Sequence, residues 1–313
     1  MALAFSWSRF ETPSLDIAAA LAGDHHEFVF AGHTTRVRLP PASAAGDGAM
    51  DRLFITQSLS ADGTPVTYAV RDVDVELDQL DTDLVRGLVA RDKPDPNVDA
   101  VAEMGEVAGR AFDYWIRVVR WQAKSHRIGR LTRQQRDTWG SRLRETGTRR
   151  QLASHAIRIV VSLSSPLSPE LWTDIAGLLV AGSEPPVSFD LYFDSLDHID
   201  HGDLRRAIVD LANAAELFLR SRLDRSLPSA LTPAVRKYAM RANASVLLSR
   251  FAPEILGAGG PSFLQAKKAD LAQLFELRNR LVHSSDQLAL TESMCRQLGR
   301  VTKELLELDE GAK

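Results

Sequence analysis

The sequence predicts an α+β domain followed by an all-α helical bundle. The first 90 residues are rich in β-branched and aromatic side chains that often alternate with polar ones. The residues after Pro186 carry apolar side chains at helical spacing. Between them lies Gly182-Ser183-Glu184-Pro185-Pro186, a composition typical of a linker. We therefore predict two domains, residues 1–183 and residues 184–313.

Composition is that of an ordinary globular protein. Hydrophobic residues make up 44% of the 313 residues and charged residues 25%, and the formal net charge of -3 argues against a protein that coats polyanions indiscriminately. The single cysteine, Cys295, excludes an internal disulfide and a cysteine-rich zinc site. The sequence contains neither a signal-peptide pattern nor an apolar run long enough to cross a bilayer. We therefore expect a cytoplasmic protein with no membrane partner.

Strand patterns in the first domain occur in Glu27–Pro40 and in Arg52–Leu77. Ala61-Asp62-Gly63-Thr64-Pro65 predicts a turn inside the second run. From Val101 to Gln122 the apolar spacing becomes helical.

The end of the first domain is predicted to contain one more strand and one more helix. Ala156–Ser165 has the composition of a strand. Ser168–Val180 predicts a short helix, with Ser168 as its N-cap and Pro169 at its first position.

A basic stretch extends from Arg117 to Arg158, with eleven arginines and one lysine against Asp137 and Glu145. One interpretation is a solvated face, or a surface that pairs with the acidic segment Asp72–Glu106. The other is a surface that follows a phosphate backbone and binds it in a salt-dependent manner.

The second domain is predicted to contain four or five helices joined by short loops, which is an α-bundle. Leu204–Leu223 and Leu264–Val282 have amphipathic spacing, and Pro233–Phe251 can form one or two shorter helices. The glycine-rich Phe251–Ser262 is predicted to be a loop, and it lacks the Lys-Ser/Thr pair that a phosphate-binding loop needs. The last helix carries an apolar stripe of Leu290, Met294, Leu298, Val301, Leu305 and Leu308.

The strongest candidate for chemistry is Arg278 with Asn279 and His283, late in the helix Leu264–Val282. An arginine binds phosphate oxygens through two donors, and histidine is the side chain that exchanges a proton near neutral pH. The same spacing also occurs at Arg150 and His155, which lie in a predicted loop-to-strand segment inside the basic stretch and not late in an amphipathic helix. Asn279 and His283 lie one turn apart on one helix face, whereas Arg278 and His283 are offset by about 140°. A bend, or a second copy of the motif from another chain, is needed to bring Arg278 and His283 together.

Glu216 is a further candidate because it borders the apolar face of the helix Leu204–Leu223. A carboxylate in such a position needs a partner, and we expect Arg278 to be that partner. Two roles stay open for Glu216: a structural ion pair that positions the arginine, or direct participation in catalysis.

These residues resemble the HEPN superfamily. An Asn-Arg-Leu-Val-His sequence follows an arginine in Arg278–His283, late in a helical domain and before a terminal amphipathic helix. Gly202-Asp203-Leu204-Arg205-Arg206-Ala207 and Ala214-Ala215-Glu216-Leu217-Phe218-Leu219 are similar to that family's first long helices. The resemblance covers Pro186 to Lys313. It implies a helical bundle that pairs two-fold, with both motifs facing one cleft.

The resemblance implies a metal-independent RNA endonuclease of the toxin or phage-defence kind. Arg278 and His283 take the catalytic places and Asn279 the polar position between them. Some branches of the family carry a tyrosine two residues after the histidine, where a nucleotidyl modification silences the toxin. Ser285 stands at that position here, which argues against that form of control. The N-terminal domain would then recognise a trigger, an antitoxin or the RNA.

The chemistry of RNA fits these residues. Attack by a ribose 2′-OH on its own phosphate needs a base near neutral pH and a fixed cation, which His283 and Arg278 can supply. Asn279 can orient the imidazole or the phosphate. The products would be a 2′,3′-cyclic phosphate and a 5′-OH, and neither a metal nor a cofactor is expected. The alternatives are a non-catalytic HEPN-like adaptor or sensor dimer that binds RNA, a nucleotide or a protein, and an unrelated helical domain.

Two clusters combine acidic residues and histidines, which are side chains of the metal-binding types. One is Asp24-His25-His26-Glu27. The other consists of Asp194, Asp197, His198, Asp200, His201 and Asp203. Helix capping and turn chemistry explain most of this second cluster, and we expect a metal at neither one.

Overall fold

The computed structural model describes residues 6–42, 53–55, 60, 66–78, 99–129, 165–228, 231–257, 259–283 and 288–308. The chain divides into two compact units, Met1–Glu184 and Pro185–Lys313. An antiparallel sheet with helices forms the first unit and helices form the second, which confirms the α+β and then helical order. None of the described helices is both long enough and apolar enough to span a membrane.

Antiparallel strands form the sheet of the first unit in the order β1-β5-β3-β2, and β4 also pairs with β5. The β2–β3 hairpin turns through Ala31 and Gly32, whose φ values of 50° and 83° give the backbone twist that a two-residue hairpin loop needs. The bounds are β1 (Ser6–Ala18), β2 (His25–Phe30), β3 (His33–Arg38), β4 (Leu53–Ile55) and β5 (Thr67–Leu77).

Two helices complete the first unit. Helix α1 (Asp99–Ala123) packs against β1 and β5, and helix α2 (Pro169–Val180) packs against β2 and α1. Ser168 caps α2, since its Oγ accepts a hydrogen bond of 3.2 Å from the backbone N–H of Leu171. The predicted cap is therefore confirmed. A short 3-10 helix, Ala19–Leu21, follows β1.

His26 lies in the core of this unit between Trp115 and Trp172. Its Nδ1 accepts a hydrogen bond of 2.9 Å from the indole N–H of Trp115, and its Nε2 lies 2.9 Å from the carbonyl oxygen of Trp172. Because an indole nitrogen only donates, the hydrogen must reside on Nε2, which donates to that carbonyl. Both ring nitrogens are therefore occupied and unavailable to a metal ion. Burial lowers the pKa of His26 to about 4.

We predict that His26 makes the folded state less stable in acid. The unfolded chain takes up this proton near the ordinary pKa of 6.5, but the folded chain takes it up only near 4. Stability is therefore lost as the pH falls from 6.5 towards 4, by about 3 kcal/mol. His26→Gln cannot titrate at this position. The difference in free energy of unfolding between the wild type and His26→Gln, measured in urea, should therefore change by this amount between pH 7 and pH 4. A difference that does not change with pH would contradict the prediction.

The second unit is a bundle of helices. Helices α3 and α4 pack against each other and both contact α9, while α8 lies against α4 and α9. Fully buried apolar side chains from these helices form its core: Ile208, Leu211, Ala215, Leu271, Leu274 and Leu305. The bounds are α3 (Val187–Asp200), α4 (Leu204–Ser226), α5 (Pro233–Met240), α6 (Ala244–Val246), a π-helical turn (Leu247–Phe251), α7 (Ala252–Ile255), α8 (Gly260–His283) and α9 (Glu292–Glu307).

The loop predicted for Phe251–Ser262 is wrong in part. Ala252–Ile255 is helical, because Ala252 and Ile255 are apolar and both are buried in the bundle. Helix α8 begins at Gly260, four residues before the expected start at Leu264.

Several predictions lie outside the described residues. They concern the turn at residues 61–65, the strand over Ala156–Ser165 except for its last residue, the pair Arg150 and His155, most of the basic stretch Arg117–Arg158, and Ser285.

Candidate functional site

Helix α8 carries Arg278, Asn279 and His283 in its last two turns. The helix runs without interruption from Gly260 to His283, so its regular geometry keeps Arg278 and His283 about 140° apart around the axis. Arg278 is partly buried, whereas Asn279 and His283 are exposed. Within one chain, the two predicted catalytic side chains therefore do not face the same point.

Glu216 on α4 is the partner of Arg278. Its Oε2 pairs with Nη2 of Arg278, which confirms the predicted ion pair. Its Oε1 accepts two hydrogen bonds from Arg220, of 2.6 Å from Nη2 and 3.0 Å from Nε. One carboxylate therefore holds two guanidinium groups.

Arg220 is a site residue that the sequence did not identify. Its position four residues after Glu216 is typical of an ordinary surface pair on a helix. In the structure its Nη1 donates to the carbonyl oxygen of Met240, and its Nη2 donates to that of Ala242 at 2.8 Å. Arg220 thereby ties Glu216 to the backbone at the end of α5.

The cluster of Glu216, Arg220 and Arg278 has a net positive charge, since two arginines face one carboxylate. It lines an open pocket of about 240 Å³ together with Leu191, Asn213 and Leu217. The side chains of Arg220 and Arg278 are each 23% exposed, so solvent and ligands can reach them. An open pocket with excess guanidinium groups favours an anion such as a phosphate.

Arg278 also has hydrogen-bonding capacity that is not used. Its Nε is buried and has no acceptor among the described residues. Its Nη1 donates to Oδ1 of Asn279 at 3.1 Å, so the amide oxygen of Asn279 contacts the arginine. The imidazole of His283 is exposed at the end of α8.

The acidic cluster around the α3–α4 turn is explained by structural contacts. Asp203 caps α4, Asp200 pairs with Arg296 at 2.8 Å, and His198 lies 3.4 Å from Asp210. Throughout the described ranges, no three side chains of the metal-binding types meet in a way that could hold an ion. The expected capping and turn chemistry is therefore present.

We predict that removing the Glu216 carboxylate destabilises the fold, because it leaves two guanidinium groups close together without a counter-charge. Glu216→Ala should lower the free energy of unfolding by about 1–2 kcal/mol, less than for a fully buried pair because water reaches this one. A double-mutant cycle with Arg278→Ala, measured by urea unfolding, should give a coupling of about 1 kcal/mol.

The matched control is Glu276→Ala, which removes an exposed carboxylate from α8 and should change stability by less than about 0.5 kcal/mol. Equal effects at residues 216 and 276 would show that the ion pair contributes nothing.

Comparison with known proteins found no matching family model, no matching curated protein and no matching solved structure.

Proposed function

We propose that this protein is a metal-independent RNA endonuclease of the HEPN type, in which Arg278 and His283 act at a site shared by two copies of the chain. The main support is the cluster of Glu216, Arg220 and Arg278. It fixes Arg278 at the edge of an open, positively charged pocket, on the same helix as the exposed His283. An anchored cation and an exposed imidazole are a suitable pair for cleaving a phosphodiester when a second copy of the chain brings them together.

The proposed reaction begins when His283 takes the proton from a ribose 2′-OH. The 2′ oxygen then forms a bond to the adjacent phosphorus, and the bond from phosphorus to the 5′ oxygen breaks. A protonated imidazole returns a proton to that 5′ oxygen. The products are a 2′,3′-cyclic phosphate and a 5′-OH. Arg278 stabilises the charge that builds up on the phosphoryl oxygens, and Asn279 holds the arginine through its amide oxygen.

A second copy of the chain supplies what one helix lacks. Since Arg278 and His283 diverge on α8, the arginine of one protomer would act with the histidine of the other. Two exposed apolar side chains near Arg278 support such pairing: Leu217, which is 40% exposed and lines the same pocket, and Val282, which is 56% exposed and one turn further along α8. Exposed apolar side chains beside a polar site favour association.

In this proposal the enzyme belongs to a toxin or phage-defence system in the cytoplasm, where uncontrolled cleavage of RNA would halt growth. The first unit would then bind the trigger, an antitoxin or the RNA. A non-catalytic adaptor or sensor dimer is the second candidate. One observation favours this candidate: Glu216 already binds Nη2 of Arg278, so that nitrogen is not free to bind a phosphate.

We predict that the full-length protein cleaves single-stranded RNA in EDTA. His283→Ala and Arg278→Ala should each lower the rate by at least about 100-fold, because each removes a group that acts in the transition state. Single-stranded DNA of the same sequence should stay intact, since it lacks the 2′-OH. Gel analysis should detect a 2′,3′-cyclic phosphate on the 5′ fragment.

Two control variants match the catalytic ones. Arg280→Ala removes an exposed arginine from the same helix, and His201→Ala removes an exposed histidine from the same unit. Both should cleave at close to the wild-type rate. Cleavage that survives the loss of Arg278 or His283, or that stops in EDTA, would contradict the assignment. An intact protein that binds RNA without cutting it would favour the adaptor.

A further inference from the structure

Helix α5 is unusual because it has no place in the core. All eight of its residues are described, and none is buried. Tyr238 is 82% exposed although its ring is large and mostly apolar. A ring this exposed leaves its face open to a ligand that stacks on it.

The exposed side of α5 combines this ring with two cations. Lys237 and Arg241 are both exposed. Arg241 is the C-cap residue directly after α5, and at about 100° per residue it lies about 40° from Lys237 and about 60° from Tyr238 around the helix axis. The three side chains therefore share one face, called here the α5 face.

The opposite side of α5 is anchored to the bundle. The Nε of Arg236 donates to Oδ1 of Asp224 on α4 at 2.8 Å, and its Nη2 donates to the Asp224 carbonyl oxygen at 2.6 Å. Arg236 is about 140° away from Arg241 on the helix. The contact with α4 therefore directs the α5 face away from α4.

The α5 face is also coupled to the cluster of Glu216, Arg220 and Arg278. The two carbonyl groups that accept hydrogen bonds from Arg220 belong to Met240 and Ala242, the residues on either side of Arg241. The same Arg220 pairs with Glu216, which holds Arg278. One arginine side chain therefore connects the backbone at Arg241 to the carboxylate that positions Arg278.

The surrounding chain has a strong local charge excess. Between residues 220 and 250 the only acidic residue is Asp224, although the whole chain has a net charge of -3. The basic residues of this segment are Arg220, Arg222, Arg225, Arg236, Lys237, Arg241 and Arg250. Arg220 and Arg236 are paired with carboxylates, and the remaining positive charge attracts a polyanion.

We propose that the α5 face binds single-stranded RNA, with a base stacked on Tyr238 and flanking phosphates bound by Lys237 and Arg241. This inference rests on the proposed function for the identity of the substrate, and it adds where the strand binds outside the site of cleavage. An aromatic ring next to cations is an arrangement that binds single strands with little preference for sequence. The strand would continue from the α5 face to the pocket at Arg278.

The test is direct binding of the full-length protein to a fluorescent 2′-O-methyl RNA oligonucleotide, which has no free 2′-OH and so cannot be cleaved by the proposed mechanism. In EDTA, fluorescence anisotropy should show that Tyr238→Ala weakens binding about tenfold, whereas Tyr238→Phe, which keeps the ring, stays within about twofold of the wild type. Lys237→Ala combined with Arg241→Ala should lower the slope of log affinity against log salt by about 1.4, the value for two lost phosphate contacts.

The matched control is Lys268→Ala combined with Arg300→Ala, which removes the same charges from exposed positions on α8 and α9. It should leave both the affinity and the salt slope unchanged. Equal weakening by the two pairs, or wild-type binding by Tyr238→Ala, would overturn the proposal. Tyr238-dependent binding of a poly-glutamate peptide with equal affinity would also overturn it, since the partner would then be an acidic protein.

Parallel cleavage assays with unmodified RNA separate this proposal from the proposed function. If the α5 face variants lose binding but the wild type never cleaves, the RNA-binding proposal is supported and the nuclease proposal is contradicted. If His283→Ala abolishes cleavage but the α5 face variants bind normally, the nuclease proposal is supported and the RNA-binding proposal is contradicted.

Discussion

The carboxylate of Glu216 is the group on which the rest of the site depends. It joins three parts of the bundle: α4, which carries it; α8, through Arg278; and the end of α5, through Arg220 and the two carbonyl groups that Arg220 binds. Two guanidinium groups so close together repel each other unless a negative charge lies between them. The ionised carboxylate therefore allows the bundle to concentrate positive charge at the edge of an open pocket, and it sets the direction of Arg278.

The second constraint is the geometry of a regular helix. A single α-helix cannot point Arg278 and His283 at one phosphate, because five residues correspond to a rotation of about 140°. The structure keeps α8 regular through the motif and leaves its end exposed. In our account, the chain meets this constraint by pairing with a second copy. In the proposed dimer, Arg278 would be held in place in one protomer, and the partner would supply an imidazole that its own helix leaves accessible.

Local signals in the sequence predicted much of the fold, and one long-range contact of the site. The cap at Ser168 was predicted because it needs only neighbouring residues, and the partner of Glu216 because a carboxylate at the border of an apolar face requires a cation. Arg220 was missed because its role depends on carbonyl groups about twenty residues away. The hairpin at Ala31 and Gly32 was missed for lack of a typical turn pair. Ala252–Ile255 was predicted to be a loop because nearby glycines suggested one, although burial of its apolar side chains favours a helix.

The most direct test of a site built from two chains is complementation between inactive variants. The Arg278→Ala and His283→Ala variants are each expected to be inactive alone. The two variants are mixed and refolded together. In a mixed dimer, one of the two shared sites has both an intact arginine and an intact histidine, so about a quarter of the wild-type rate of RNA cleavage should return. If the mixture stays inactive while both variants fold and exchange subunits, the arginine and the histidine do not act across a dimer, and the central claim is wrong.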